Sequence, residues 1–567
     1  MLKLLTLFFW LTAVLFALPQ GVEKAITHSG IPKADISLII KHAGESTSEI
    51  ASLNAHQIRK PASVIKVLTL YATLLELGFD HRWKTSFYYT GTLHDGVIDG
   101  DLIIKGYGDP TLGSKDIGQI IDALRAKGIK KINGHIVIDR SFFHVGGENS
   151  SHFDEHTYSP YNAMPDAMMF NERVSVICIR PRENAVIKKG MDQSYDVVDK
   201  LVKLNVPCRG RYAWPGIKID PTAPKPKVYL RGKISKKCAE RRICKVITKP
   251  YLSFYYALKE AMKNAGIAAP GTLRLAKLPH DATLLFHHYS PPLESILAKT
   301  AKKSDNLFAR HLLLYLGAKH YGAPATMTKG RAAVREVLKA HGIMGTERLT
   351  IDNGSGLSRS ARLDADLLAN VLDHAYTHYG NRWMNLLSIA GVDGTIKRRF
   401  RGTVVKNRAW MKTGTLKRVK NIAGYVKNQQ GKLYTVVILV NTNRGRWKAS
   451  QLQNEIISWL VRYKEPRSTQ TPVVEDTAAV PTEENVDTQV VSSSGIERYY
   501  VQAGAFSVVP PKAFLLQLEK LSLPYRVKYT DKYRVMVGPY IKEDDARRAL
   551  QKVRAGISKE AFILKDE

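Results

Sequence analysis

Between Pro466 and Gly495 the chain reads PRSTQTPVVEDTAAVPTEENVDTQVVSSSG, with no aromatic residue, one Arg and five acids. Such a segment buries too little apolar surface to offset the entropy of ordering it, so residues 466–495 read as a disordered linker. The chain is thereby cut into a large region ahead of the linker and a module of some 70 residues, 496–567, behind it. With 567 residues in all, the large region exceeds what one compact core holds and must itself be subdivided.

The N-terminus, MLKLLTLFFWLTAVLFALPQG, has one lysine, an apolar run from Leu4 to Leu18, then Pro19 and Gly21. That is a secretory signal pattern over residues 1–22, with cleavage expected after Ala17; retention as an N-terminal anchor is the alternative. No cysteine follows the apolar run, which argues against a lipoprotein. Export to the periplasm or cell envelope, with a division septum as one destination, is the expectation. The 85 Lys and Arg outweigh 51 Asp and Glu, leaving a formal charge of +34. A field of that sign favours polyanionic partners, and export narrows them to a loose association with anionic envelope polymers.

The four cysteines, Cys178, Cys208, Cys238 and Cys244, fall within one 67-residue window. In an exported chain they are expected to form two disulfides, with three connectivities open. A zinc site is disfavoured because there is no C-x-x-C pair.

The stretch from about Phe87 to Lys105, with YYTGTLHDGVIDGDLIIKG from Tyr88 to Gly106, alternates with turn signals and predicts short strands and hairpins. Apolar residues recur at helical spacing over 293–317 and 331–341. NIAGYVKNQQGKLYTVVILVNT predicts two strands around an Asn-Gln-Gln-Gly turn, and WKASQLQNEIISWLVRY a closing amphipathic helix. A sheet ending in a hairpin and flanked by helices is α+β or α/β in character.

KPASVIKVLTL places Ser63 at the start of a run that is apolar nearly all round, with Lys66 one turn on along the same face. A lysine drawn into apolar surroundings loses its proton readily and can accept one from a serine. S-x-x-K also arises by chance in a chain of this length, and these residues alone do not choose between nucleophile and helix start. In KKSDNLFARHLL, Ser304 and Asn306 offer a proton-relaying hydroxyl and an amide; Ser, Asp and Asn are equally the residues of a helix cap. WMKTGTLKRVKNIAGYV contains the only K-T-G, in which Lys412, Thr413 and Thr415 supply a cation and hydroxyls for a carboxylate. Gly414 there lets the backbone approach a ligand.

The order S-x-x-K, S-x-N, K-T-G resembles the penicillin-binding proteins and serine β-lactamases. The 241 positions between Ser63 and Ser304 leave room for a large insertion carrying GDLIIKGYGDPTL and YNAMPDAMMFNE. With DNGSGLSR and AGVDGTIKRRF further on, these segments are similar to landmarks of the S13 family of D-alanyl-D-alanine carboxypeptidases and endopeptidases. The resemblance covers roughly residues 30–465; Asn353 inside a D-G-S-G pattern and the lysine-rich insertion depart from it.

The resemblance implies an α+β multidomain chain. A transpeptidase-like domain (23–90 and 286–465) would hold a β-rich insertion (91–285), with a small α+β module behind the linker. It implies that Ser63 attacks the carbonyl between two D-alanines of a peptidoglycan stem peptide while Lys66 takes its proton. Ser304 would return a proton to the leaving D-alanine, Asn306 would hold the acyl side, and Lys412, Thr413 and Thr415 the terminal carboxylate. The backbone N–H groups of Ser63 and Thr415 would form the oxyanion hole, and β-lactams would acylate the same serine. Arg359, with Asp154 and Glu155, is a candidate reader of the stem peptide. Neither cofactor nor metal is required. A class A β-lactamase is disfavoured, since the only glutamate in the forty residues after S-D-N, Glu336, is followed by VLKA rather than completing E-x-x-x-N. A catalytically weak wall-binding protein remains the other alternative.

Behind the linker, RYYVQAGAFS, PKAFLLQLEKL, YRVKYTDKYRVMVGPY and KEDDARRALQKVRA read as strand, helix, strand pair and helix. YYVQAGAF is echoed by YRVMVGPY, and the whole resembles a SPOR domain, which binds glycan strands stripped of their peptides. Gln502, Gly504 and Phe506 on the first strand and Val537, Gly538 and Tyr540 on the last carry the resemblance, which implies glycan contacts from Gln502, Phe506 and Tyr540. Nucleic acid is disfavoured as a partner: the module has 14 basic against 9 acidic residues and lacks an RNP1 pattern.

Overall fold

The computed structural model describes residues 18–44, 49–145, 153–222, 225–465 and most of 498–566. The expected leader through Ala17 and the expected linker lie outside the described residues. The chain divides after Glu465 into two units, each described by itself.

The strand Leu433–Asn441 carries VVILV, an unbroken apolar run, because both of its faces are covered. Val436, Ile438 and Val440 meet the helices Gln20–Ser29 and Arg446–Arg462, while Val437 and Leu439 meet the helices that carry the site. It sits in an antiparallel six-stranded sheet ordered 388–389, 409–416, 419–427, 433–441, 36–42, 49–53. On the second face lie Lys66–Leu77, Leu293–Lys303, Asn306–Tyr321, Met327–Ala340 and Ala365–Met384. The periodicity over 293–317 is thus two helices, broken at Ser304 with φ +57° and restarted by Asp305, whose carboxylate accepts the Phe308 N–H at 3.0 Å.

Val22 is fully buried, and a Cβ on Gly21 would lie 2.1 Å from the Trp459 ring. Residues 20–22, placed within the expected 1–22 leader, therefore belong instead to the first helix of the folded domain.

The insertion opens with a five-stranded sheet ordered 273–275, 136–139, 102–106, 84–89, 283–289, packed on the helices Ile117–Ala126 and Pro250–Asn264. Its outermost strands in sequence reach 84 and 289, a few residues beyond 91 and 285. Nested inside are two three-stranded sheets, 185–188/175–180/241–245 and 196–204/227–235/216–220, sharing a core of Ile177, Ile179, Val228, Leu230 and Ile234.

Cys208 and Cys238 form a disulfide, but Cys178 and Cys244 are free thiols, so the expected second bridge is absent. The reason is register: Cys178 stands opposite Arg242 and Cys244 opposite Val176. The two thiols are diagonal neighbours, farther apart than the roughly 4 Å between Cβ atoms that a disulfide requires.

The C-terminal unit is an antiparallel sheet ordered 525–529, 533–540, 498–506, 562–566, with the helix Glu543–Gly556 packing Ala546, Ala549 and Val553 against Val501, Ala503, Val535 and Val537. Much of the helix expected at PKAFLLQLEKL lies outside the described residues.

Candidate active site

Ser63 is the second residue of a 3-10 turn, Ala62–Ile65, that runs into the helix beginning at Lys66. Pro61 therefore precedes this turn instead of opening an α-helix at Ser63. Asn421, fully buried in the sheet, holds the approach: its amide N–H donates to Lys60 O at 2.9 Å and Pro61 O at 2.8 Å, and its carbonyl accepts the Val440 N–H. Ala62 is held at φ +48°, a left-handed conformation costly for a residue with a Cβ.

Lys66 Nζ lies 2.9 Å from Ser63 Oγ and 2.8 Å from Asn306 Oδ1, and donates as well to Ser355 O. It is completely buried, and that burial drives its pKa well below the usual lysine range; the positive charges of Lys412 and Arg310 push the same way, against the carboxylate of Asp305. A neutral amine keeps two N–H groups and one lone pair. With Asn306 Oδ1 and Ser355 O as the two acceptors, the lone pair is left for the Ser63 hydroxyl, and the 2.9 Å contact can run with Ser63 donating. A nucleophile and a deprotonated base in hydrogen-bond contact, the base oriented by other groups, is the arrangement that acyl transfer requires.

Lys412 is also fully buried, and its pKa is brought down to about 7 by desolvation. Its ammonium donates to Ser304 Oγ at 2.8 Å and to Thr413 O at 2.9 Å, joining the third motif to the second. Thr413 Oγ1 donates to Thr395 Oγ1 at 2.8 Å, which brings the AGVDGTIKRRF segment to the rim. A Cβ on Gly414 would stand 2.8 Å from Pro61 O and 3.0 Å from Ser63 N. The glycine lets the strand Ala409–Leu416 run against the nucleophile's own backbone.

Several groups were invisible to motif reading. The carbonyl of Ser355 accepts from Lys66 Nζ and lies 3.2 Å from Ser63 Oγ, as the alternative acceptor for the serine proton, and its loop is shaped by Asn353, whose carbonyl takes the Ser355 N–H at 3.1 Å and hydroxyl at 2.6 Å. The departure at position 353 thus supports the site. Gly356, at φ +77°, passes so close that a Cβ would lie 1.9 Å from Ala62 O. From the insertion, Tyr161 O accepts Asn306 Nδ2 at 3.1 Å and Arg310 at 3.3 Å. YNAMPDAMMFNE was legible as a landmark, but the role of its carbonyl was not.

Arg359 lies beyond the catalytic groups, exposed and donating to Phe153 O at 2.9 Å. It lines a cavity of about 320 Å³ with Phe153, Arg310, Asp352 and Asn353. Asp154 accepts from Asn162 Nδ2 at 2.7 Å, from Tyr161 OH and from the His156 N–H, bracing the Tyr161 loop, whereas Glu155 is exposed. Glu336, weighed as a deacylating base, instead accepts from His320 at 3.0 Å on the surface. In the C-terminal unit, Phe506 and Tyr540 pack partly buried against the core, while Gln502 stands on the face opposite Val501 and lies near Arg534 at 3.4 Å.

A family model described as the D-Ala-D-Ala carboxypeptidase 3 (S13) family matches residues 18–463, and a SPOR domain model matches 496–565. D-alanyl-D-alanine carboxypeptidase DacB of Haemophilus influenzae is 30% identical over 457 residues, 76% of this chain and 91% of that protein. A D-alanyl-D-alanine carboxypeptidase of an Actinomadura species is 26% identical over 403 residues, covering 68% and 74% of the two chains. The crystal structure of penicillin binding protein 4 (dacB) from Haemophilus influenzae superposes with a TM-score of 0.67 at 24% identity, over 78% of this chain and 99% of that one. The chain belongs to the D-Ala-D-Ala carboxypeptidase 3 (S13) family and ends in a SPOR domain.

Proposed function

We propose that this family member hydrolyses the terminal D-alanyl-D-alanine bond of peptidoglycan stem peptides through an acyl-enzyme on Ser63, and that β-lactams acylate the same hydroxyl. The observation that carries the reading is the fully buried Lys66 amine, 2.9 Å from Ser63 Oγ and oriented by Asn306 and Ser355.

Ser63 Oγ adds to the carbonyl carbon between the two D-alanines as Lys66 Nζ takes the hydroxyl proton. The oxyanion is met by the backbone N–H groups of Ser63 and Thr415, a contact whose loss typically costs about 10² to 10³ in rate. The C–N bond breaks as Ser304, held by Lys412, gives its hydroxyl proton to the departing D-alanine nitrogen and takes up the proton that Lys66 gained, which leaves Lys66 neutral. Water then adds to the Ser63 ester as Lys66 takes its proton, and Lys66 returns that proton to Ser63 Oγ as the shortened peptide is released. Lys412, Thr413 and Thr415 bind the terminal carboxylate, and Arg359 reads the stem peptide from the neighbouring cavity.

On this reading the enzyme is exported to the periplasm or cell envelope, also cuts D,D crosslinks as an endopeptidase, and uses its SPOR domain to hold denuded glycan. The test is digestion of a stem pentapeptide and of a crosslinked dimer, followed by mass spectrometry. Loss of one alanine from the first supports the carboxypeptidase, and separation of the second supports the endopeptidase. An intact pentapeptide that is nonetheless bound would favour the catalytically weak binding protein.

A further inference from the structure

The basic residues are unevenly spread: residues 182–249 hold 18 Lys and Arg against 6 Asp and Glu. Within this stretch the sheet 196–204/227–235/216–220 has an inner face of Val197, Leu201, Val228, Leu230 and Ile219 on the subdomain core. Strand alternation therefore sends Lys200, Lys218, Tyr229, Arg231 and Lys233 to the other face. All four cations are exposed, and none makes an ion pair among the described residues.

Register sharpens the point. Lys200 stands directly opposite Arg231 on neighbouring strands, and Lys218 stands beside Tyr229, over whose ring the Arg231 guanidinium lies at 5.3 Å. Like charges directly opposite each other destabilise a sheet. The acids of the sheet give partial relief only: Asp196 and Asp220 sit at one end of this face, flanking Lys227, where Asp220 is near Lys218 alone of the four cations, and Asp199 on the other face is bound by Lys203 at 2.9 Å. Both Asp196 and Asp220 have their carboxyls held below the usual range, first by hydrogen bonds from Lys225 and from Thr222, respectively, and further by the surrounding lysines. The face is thus a two-dimensional array of largely unneutralised cations with an aromatic ring between them, on a rigid sheet rather than a loop.

We propose that this face is a docking surface for a phosphate-bearing polyanionic polymer of the cell envelope, with Lys200, Lys218, Arg231 and Lys233 meeting successive phosphates. Arg231 presents a planar fork suited to a phosphate, and strand spacing of about 4.8 Å sets the cations at intervals that a linear polyanion can follow. Val202 is exposed opposite Lys233 and Val198 stands opposite Tyr229, so the face mixes small apolar groups with its cations, and the vesicle arm of the test below separates a lipid surface from a polymer. The identity of the polymer's compartment rests on the export proposed above; acylation is read separately so that failure of either idea is distinguishable.

The experiment uses the full chain with linear inorganic polyphosphate as probe, against phosphatidylglycerol vesicles and duplex DNA. Wild type should bind polyphosphate, with affinity falling at least about tenfold between low and moderate salt. The variant Arg231→Glu/Lys233→Glu should bind about tenfold or more weakly, while its acylation by a fluorescent penicillin is unchanged. Should that variant lose acylation through misfolding, Lys218→Gln/Arg231→Gln gives the same reading with less disturbance. Absence of polyphosphate binding, binding unaltered in a folded variant, or preference for vesicles or DNA would each overturn the proposal.

Discussion

The catalytic cleft and the lysine-rich sheet of the insertion are both built on cationic side chains, yet they set them to opposite uses. In the cleft Lys66 and Lys412 are wholly buried, each amine has protein acceptors, and desolvation lowers both pKa values. On the sheet Lys200, Lys218, Arg231 and Lys233 are exposed to water. Burial turns a lysine into a base or a tuned cation, whereas exposure leaves it a source of field. The same substitution should accordingly do very different things in the two places.

The largest contrast comes from removing an amine. Lys66→Ala should slow acylation by about 10² to 10⁴, the range of a general base, whereas Lys200→Ala should leave it unchanged; stopped-flow acylation with a chromogenic β-lactam measures both. Next comes pH. Lys66 must be neutral to accept a proton, so kcat/KM falls as pH drops below its lowered pKa. Lys412 must be charged to bind a carboxylate, so kcat/KM also falls as pH rises above about 7 in the free enzyme. The profile is a bell, and Lys412→Gln should flatten its alkaline limb while keeping the acid limb. An alkaline limb that survives the substitution would assign it to another group.

Smaller effects probe the supports. Asn306→Ala removes an acceptor from the buried Lys66 amine, a loss of about 1–3 kcal/mol, or roughly 5- to 100-fold in acylation rate. Asn421→Ala takes this partner from Pro61 O and the Val440 N–H and leaves Lys60 O with Asn441 Nδ2 alone, and should cost about 1–3 kcal/mol in denaturant unfolding. At the low end, Lys233→Ala on the exposed sheet should change stability by no more than about 0.5 kcal/mol. A larger change there would mean that the sheet uses its charges structurally.

The two regions also differ in how far they were legible. Ser63, Lys66, Ser304, Asn306 and Lys412 were named because their chemistry demands particular side chains in a particular order, and the structure brings them together. Ser355 and Tyr161 were not, because they act through backbone carbonyls that any residue possesses. Asn421 is one buried amide among many, and only the pairing of its strand shows which loop it holds. The cysteines failed for a related reason: nearness in sequence made two bridges look natural, but strand register leaves Cys178 and Cys244 diagonal to each other. The hairpin of strands 419–427 and 433–441 was readable from its apolar runs and turn signal, but the six-stranded order around it was not. The like-charge pair of Lys200 and Arg231 was not, since it depends on a parallel register between strands far apart in sequence.

The central claim is that Ser63 is the nucleophile, and the most direct measurement is intact-protein and peptide mass spectrometry after exposure to a penicillin. The account predicts one covalent adduct on wild type, located on Ser63, and none on Ser63→Ala. An unlabelled wild type, or an adduct that persists in Ser63→Ala, would contradict it.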